Sequence, residues 1–365
     1  MKNQIITIDV RLLYASGIGT YLQNLVPIVI CSCPHVPFSL LANNPDELKE
    51  YSWARKDNVT IIDLQSSIYS LSEQSGFLRK IPKDTTLFWS PHYNIPLLYW
   101  GKLLVTIHDV FHIAMPTFVA GLHRRLYARF MFNVIRRKAD AVLTVSKFTQ
   151  NELIRLIGVD RNKIYAIHNG VDQTWFQPRK GVLSRRKPFL LYVGNVKPHK
   201  NLSRLFEAFE MVQEKIPHDL VIVGKKEGFI TGDSSVIAKA AKFKERIEFT
   251  GHVSGTILKQ YFAQAEALVF PSLYEGFGLP PLEAMASGCP VIVSDIKPLH
   301  EVCDDAALYC DPQRSKDIAD KIQQLVHDSD LRGRLQQKGL KRAEQFTWEK
   351  CGEQVVSVIK QVMEP

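Results

Sequence analysis

The stretch Ala267-Leu-Val-Phe270-Pro-Ser-Leu-Tyr-Glu275-Gly276-Phe277-Gly278-Leu279-Pro280-Pro281-Leu282-Glu283-Ala-Met-Ala-Ser-Gly288, closed by Val291-Ile-Val293, holds a complete β-α-β pattern. Ala267–Phe270 is a short continuous apolar run, as expected of a strand buried on both faces. Two glycines free the loop that follows. Pro280 and Pro281 suit the first turn of a helix, where a missing N–H costs nothing, and Gly288 is a natural helix terminator. The amides of Phe277, Gly278 and Leu279 would then stand at a helix N-terminus, a seat for phosphate. Glu275 precedes that seat and Glu283 follows it. Carboxylates beside a phosphate are electrostatically odd unless they hold hydroxyls. Glu283 is suited to grip a ribose, and Glu275 to hold sugar hydroxyls; the plainer role for Glu283 is a carboxylate facing the helix dipole.

The same alternation extends outward. Ile5–Val10, Leu103–Ile107, Ala141–Val145 and Lys163–Ile167 read as strands of a first run. Phe189–Val193, Leu220–Val223, Ile247–Phe249, Ala267–Phe270 and Val291–Val293 form a second. Tyr21–Ile30, Leu202–Lys215, Ile257–Gln264 and Asp317–Ser329 read as helices between them. This is an α/β chain of two Rossmann-like, doubly wound domains facing a cleft. A Pro-rich basic stretch, Gln177–Pro188, divides the runs. Expected boundaries are 1–178, 186–345, and a last helix, 346–365, that crosses back to the first domain. In such sheets ligands sit beyond the carboxyl ends of the strands.

Composition narrows the class. The 365 residues carry 46 Lys and Arg against 37 Asp and Glu, a net charge of +9, with 45% hydrophobic residues. That profile excludes disorder and collagen-like or coiled-coil chains. No apolar run reaches the ~18 residues of a membrane span, and Asp9 interrupts the first apolar stretch, so neither a span nor a secretory leader is expected. A cytoplasmic location follows, with reduced cysteines: Cys31, Cys33, Cys289, Cys303, Cys310 and Cys351 form no CxxC pair. Residues 1–180 hold 21 basic and 13 acidic side chains, and residues 181–365 hold 25 and 24. The excess is concentrated in 122–138, where Arg124, Arg125, Arg129, Arg136, Arg137 and Lys138 alternate with apolar residues. Two readings stand: a packed helix with a solvated basic face, or a helix lying on an anionic membrane surface. No nucleic-acid motif accompanies it.

Three other loops are candidates for chemistry. Gly17-Ile-Gly19 follows the first strand and fits either a tight turn or a close approach to a ligand. His108 ends the strand Leu103–Ile107, beside Asp109, and is placed to exchange a proton or hydrogen bond. Val193-Gly194-Asn195-Val-Lys197-Pro-His-Lys200-Asn201 offers amides and two ammonium groups, fit for a diphosphate or for solvent.

Taken together, Glu275 and Glu283 seven residues apart, Gly17-Ile-Gly19, His108-Asp109, Val145-Ser146-x-Phe148-Thr149, Asn169-Gly170-Val171-Asp172, Val193-Gly194 and Lys200-Asn201 fall in one order. That order resembles the family 4 retaining glycosyltransferases of GT-B architecture, over essentially the whole chain. The resemblance implies that Glu283 holds the nucleotide ribose and Glu275 orients the donor sugar. It makes Lys200, with the Gly276–Leu279 loop, the partner of the departing diphosphate. It places His108 near the reacting face of the sugar, Gly17 and Gly19 near the donor phosphate or the acceptor, Gly194 and Asn195 near the donor phosphates, and Val253 against the base. Many members have Arg at the position of Asn195, so Lys197 is a candidate substitute. The segment Ser90-Pro-His92-Tyr-Asn94-Ile-Pro96 is similar to acceptor-side segments of bacterial mannosyltransferases of polysaccharide and O-antigen assembly.

The expectation is therefore retaining, metal-independent transfer of a hexose, mannose from GDP-mannose, to a saccharide or lipid-linked saccharide. Ser90, His92 and Asn94 would lie on the acceptor side, with no cofactor beyond the donor. The basic 122–138 segment would allow peripheral association with the inner face of the plasma membrane. Competing readings are a nicotinamide dehydrogenase, which would want a three-glycine fingerprint, a sugar phosphorylase, which would want a pyridoxal-phosphate lysine and a longer chain, and a nonenzymatic nucleotide-sugar sensor.

Overall fold

A computed structural model of the chain describes residues 4–119, 121–177, 187–224 and 245–364. They fall into two compact units, one built from the chain up to Gly170 together with Trp348 onward, the other from Val171–Thr347. The division thus precedes the 177–188 stretch, of which 178–186 lie outside the described residues.

The first unit carries β1 (Ile5–Asp9), β2 (Phe38–Ala42), β3 (Val59–Asp63), β4 (Thr85–Ser90), β5 (Lys102–Ile107), β6 (Ala141–Thr144) and β7 (Ile164–Ala166). Their order in the sheet is β3-β2-β1-β4-β5-β6-β7, every neighbouring pair parallel. The chain winds outward from β1 to β3 and returns to place β4 beside β1, so the direction of winding reverses between those two strands. β2, β3 and β4 are absent from the sequence reading. β3 mixes half-buried and exposed residues at the sheet edge, and β2 is a five-residue run with Ser39 inside it. Neither displays the long apolar run of a central parallel strand.

The second unit repeats the plan with β8 (Phe189–Val193), β9 (Asp219–Val223), β10 (Ile247–Gly251), β11 (Ala267–Phe270), β12 (Val291–Ser294) and β13 (Ala307–Cys310), in the order β10-β9-β8-β11-β12-β13. Its reversal lies between β8 and β11. Leu205, Phe206 and Phe209 on the helix Leu202–Val212 pack into one buried cluster with Leu190, Tyr192, Leu220 and Ile222 of the sheet. Fully burying each such side chain contributes roughly 1.5–3 kcal/mol.

Two sequence expectations need correction. Gly17 and Gly19 do not form a turn: the helix they precede in the sequence reading starts at Ser16, so both lie in it. Gly19 is required by the chain itself, because a Cβ there would sit 2.5 Å from the Leu13 carbonyl oxygen. The region read as Asp317–Ser329 is the helix Ser315–His327, followed at once by a second, Ser329–Ala343, whose N-terminus Asp328 caps through the Leu331 amide at 2.8 Å.

The last helix, Trp348–Met363, belongs to the first unit and packs against Ser16–Ser32. Gly352 makes this possible, since a Cβ there would lie 2.4 Å from Ile28 Cγ2. All six cysteines are free thiols, and only Cys31 is exposed. No helix among the described residues is long and apolar enough to cross a membrane.

Candidate functional site

The carboxyl ends of β8 and β11 flank the reversal point of the second sheet, and the loops leaving them meet there. From the β8 side comes Lys200, at the end of the single turn Pro198–Lys200. From the β11 side comes Glu275. Their ammonium and carboxylate lie 2.6 Å apart, both mostly shielded from solvent. The loops are pinned to each other by backbone and side chain. The Leu273 amide donates to the His199 carbonyl at 2.8 Å. Asn201, in the left-handed region at φ 63°, donates from Nδ2 to the Pro271 carbonyl at 2.9 Å and the Pro312 carbonyl at 2.7 Å. Asn201 is therefore a locking residue, a role its place in a motif did not disclose.

Close backbone contact shapes the β8 side as well. The Gly194 amide donates to the Val223 carbonyl at 3.0 Å, and a Cβ on Gly224 would fall 2.1 Å from the Gly194 carbonyl oxygen. Beneath them Tyr192 is fully buried with no hydrogen-bond partner for its hydroxyl, and Ser272 on the β11 side is in the same condition. Burial, with the Glu275 charge nearby, raises the Tyr192 phenol above its ordinary range, so it stays neutral. Asn195 is half-buried and Lys197 exposed.

The loop after β11 ends on the helix Leu279–Ala286, with Pro280 and Pro281 in its first turn as the sequence indicates. Gly278 takes φ 124° at the cap, and a Cβ there would meet Leu299 Cδ2 at 2.7 Å, so both conformation and space demand glycine. Phe277 is buried against Phe346, ring centroids 6.0 Å apart, which anchors the loop beside Gly276. The helix ends at Gly288 in the left-handed conformation, φ 72°. Its amino end presents Gly278 and Leu279, followed by two residues with no N–H. Glu283 lies one turn in. Burial pushes its carboxyl up to about 8, against the favourable but smaller pull of Lys259. Lys259 in turn donates to Thr174 Oγ1 and lies 5.0 Å from the Trp175 ring centre. Val253 is half-buried in the loop between β10 and the helix Gly255–Gln264.

In the first unit His108 follows β5 and its Nε2 lies 3.0 Å from the Pro91 carbonyl, which can only accept, so Nε2 carries the proton. Its ring stands edge-on to Tyr21 at 4.9 Å, and burial pushes its pKa down to about 4. Neutral His108 thus keeps Nδ1 as an acceptor. Ser90 and Asn94, assigned to the acceptor side by the sequence reading, are buried and occupied within the unit. Ser90 Oγ donates to the carbonyls of His92 at 2.7 Å and Asn94 at 3.0 Å. Asn94 donates to Glu73 and accepts from the Tyr127 hydroxyl. They hold the loop, and half-buried His92 is engaged within it too: its Nδ1 accepts from the Asn94 amide at 3.3 Å and its Nε2 lies 3.1 Å from the Tyr69 hydroxyl.

Behind this loop lies a feature the sequence did not reveal. Arg11 Nη2 reaches Asp9 and Glu73, each at 2.6 Å, with all three residues buried. Glu73 also accepts from the Tyr69 amide at 2.9 Å, fixing Tyr69 at φ 70°, uncommon for a residue with a bulky side chain.

Two parallel sheets with matched reversal points, and a Lys–Glu pair beside a Gly-capped helix in the second, define the class as GT-B glycosyltransferases. The comparisons agree on that class. Residues 39–175 match the model described as Glycosyltransferase Family 4, and residues 173–342 match Glycosyl transferases group 1. Together the two matches liken the chain to the family 4 glycosyltransferases over most of its length. It is similar to the O-antigen chain mannosyltransferase RfbU of Salmonella typhimurium, 33% identical over 63% of this chain and 62% of the relative. It also resembles O-antigen chain mannosyltransferase B of Escherichia coli, 28% identical over 75% of this chain and 74% of the relative. The match thus spans less than two thirds of the Salmonella protein. Among solved structures, sucrose-phosphate synthase from Thermosynechococcus elongatus superposes with a TM-score of 0.81 at 21% identity, covering 98% of this chain and 99% of that one. Anabaena HepE in complex with UDP and glucose does so at 0.76 and 17%, covering 98% and 100%. These likenesses concern the fold.

Proposed function

We propose that the chain is a retaining mannosyltransferase that moves mannose from GDP-mannose to a hydroxyl of a saccharide or lipid-linked saccharide. The observation that carries the transferase reading is the Lys200–Glu275 pair at the reversal point of the second sheet, next to the Gly278-capped helix. Support for mannose comes from the mannosyltransferases to which the chain is similar.

In this reading the diphosphate lies between Lys200 and the Gly278–Leu279 amides, and Glu283 accepts two ribose hydroxyls. Lys200 has three donors and spends one on Glu275, so it enters the reaction charged and already aimed. As the anomeric C–O bond breaks, negative charge grows on the diphosphate, where the ammonium and amides oppose it most strongly in the transition state. The acceptor oxygen attacks from the face the diphosphate leaves. Its proton passes to a phosphate oxygen, the new C–O bond forms with the original configuration, and no carboxylate is glycosylated. Glu275 holds sugar hydroxyls; in the first unit, neutral His108 keeps Nδ1 as an acceptor, suited to a hydroxyl.

The test is to incubate the protein with GDP-mannose, UDP-glucose and a library of mannosyl and galactosyl acceptors and to read product anomers by proton NMR. An α-mannoside from the α-configured donor is expected. A β-mannoside, or a covalent mannosyl-carboxylate, would overturn retention by front-face attack. Turnover with UDP-glucose alone would overturn the donor.

A further inference from the structure

In the first unit the buried hydroxyls of Thr7 and Thr85 pair at 2.8 Å, and those of Tyr21 and Thr106 at 3.2 Å. Tyr192, at the reversal point of the second sheet, is treated differently. Its side chain is fully buried, and its hydroxyl has no hydrogen-bond partner among the described residues. A buried hydroxyl without a partner raises the free energy of the protein. Such a group points to a partner acquired in another state.

The surroundings say which partner. Tyr192 lies on β8, and a Cβ added to Gly194 would sit 3.1 Å from its Oη. The hydroxyl therefore stands under the Gly194 turn, at the carboxyl end of the strand, on the side from which Lys200 comes. Its ring is packed in the core cluster that contains Leu205, Phe206 and Phe209, so the hydroxyl cannot swing elsewhere. The Glu275 carboxylate is the charge that acts on the phenol, and burial keeps the phenol neutral and able to donate.

Glu275 has room for that donor. Its Oε1 receives the Lys200 ammonium at 2.6 Å, and its Oε2 receives no bond from the described residues. Its side chain is only 12% exposed, so water is poorly placed to replace a weakened partner. A diphosphate beside Lys200 brings negative charge that attracts the ammonium and repels the carboxylate. That pull is greatest in the transition state, where charge on the leaving group grows. Tyr192 can then donate without breaking any bond of its own.

We propose that Tyr192 is a positioning residue: its hydroxyl donates to Glu275 as the diphosphate draws on Lys200, and so holds the carboxylate charged and aimed at the donor sugar. This rests on the reading of the second unit as the site of sugar transfer.

The test is Tyr192→Phe, which removes the hydroxyl and keeps the ring. GDP release from GDP-mannose is measured with the acceptor library, beside the melting temperature of the empty protein. The variant should lower kcat about tenfold and leave the KM for GDP-mannose within about threefold, because the bond matters most in the transition state. Its melting temperature should equal or exceed that of the wild type, since the empty protein loses no bond. In a Glu275→Ala background the same change should alter kcat by less than about twofold. An unchanged kcat, a loss that persists in full in Glu275→Ala, or a lower melting temperature with kcat unchanged would overturn the inference and leave the transferase reading intact. Absence of GDP release by the wild type would overturn that reading and this inference together.

Discussion

Lys200 and Glu275 leave different strands, 75 residues apart in sequence, and their charged atoms meet at 2.6 Å. β8 and β11 are the two strands between which the winding of the second sheet reverses, so the fold delivers both residues to one point. The Asn201 bonds to the Pro271 and Pro312 carbonyls then keep the loops from separating. The pair is a preorganised cation with its counter-charge. A preorganised donor aimed at developing charge commonly accounts for about 10²–10³ in turnover. Lys200→Met should lower kcat by about that factor, with a far smaller effect on acceptor KM. Adding Glu275→Gln should cost less than the product of the single effects, because the two act on one donor. Steady-state kinetics of the four proteins measures this, and fully multiplicative effects would refute the coupling.

Glu283 gives a pH dependence with a definite sign. Its carboxyl stands at about 8 in the folded chain, above its ordinary 4.5, because burial disfavours the charged form. The linked stability is fully present below about pH 4.5 and declines as pH rises through about 8. Ribose hydroxyls donate to a carboxylate, so a bound nucleotide favours the ionised form that the empty site resists. Affinity for GDP should therefore rise by about tenfold between pH 7 and pH 9, with proton release on binding near neutrality. In Glu283→Gln the affinity should be weaker and flat with pH. Titration calorimetry in buffers of different ionisation enthalpy reads both effects, and an identical slope in wild type and variant would exclude Glu283 as its source.

Gly19 separates a packing role from a ligand-approach role. The added methyl of Gly19→Ala would lie 2.5 Å from the Leu13 carbonyl oxygen, a backbone atom that cannot swing aside. The variant should lose about 2 kcal/mol or more of stability, seen as a lower urea midpoint with unchanged m-value. Wild-type stability with impaired turnover would assign the glycine to ligand approach.

Arg11 is ion-paired with two buried carboxylates, Asp9 and Glu73. Removing one member of a buried ionic cluster leaves its partners uncompensated, at a cost of roughly 3–5 kcal/mol. Arg11→Met should be destabilised by that amount, and Arg11→Met/Glu73→Gln by less. Chemical denaturation of both tests this; equal losses would show that the Glu73 pairing contributes nothing.

Much of the second unit was readable because its central strands are continuous apolar runs and its site loop carries several independent constraints. Pro280, Pro281, Gly278 and Gly288 each answer a local backbone requirement, so the helix they bracket could be located from residue types alone. The first unit was less legible. β3 is a half-exposed edge strand, and the glycines that looked like a turn are a helical close contact. The Asp9–Arg11–Glu73–Asn94–Tyr127 chain joins residues over a hundred positions apart, and no periodicity announces such a network. Ser90 and Asn94 illustrate the same limit: their types suit substrate contacts, yet the fold uses them to hold the loop that carries His92.

The most direct measurement is a thermal-shift panel of GDP, UDP, ADP, dTDP and NAD on the wild type and on Glu283→Ala. A nucleotide at a hundred times its Kd should add about 2.7 kcal/mol of stability. The account predicts a clear rise in melting temperature with GDP, smaller or absent for the others, and lost in Glu283→Ala. A response to NAD alone, or a GDP response that survives Glu283→Ala undiminished, would contradict it.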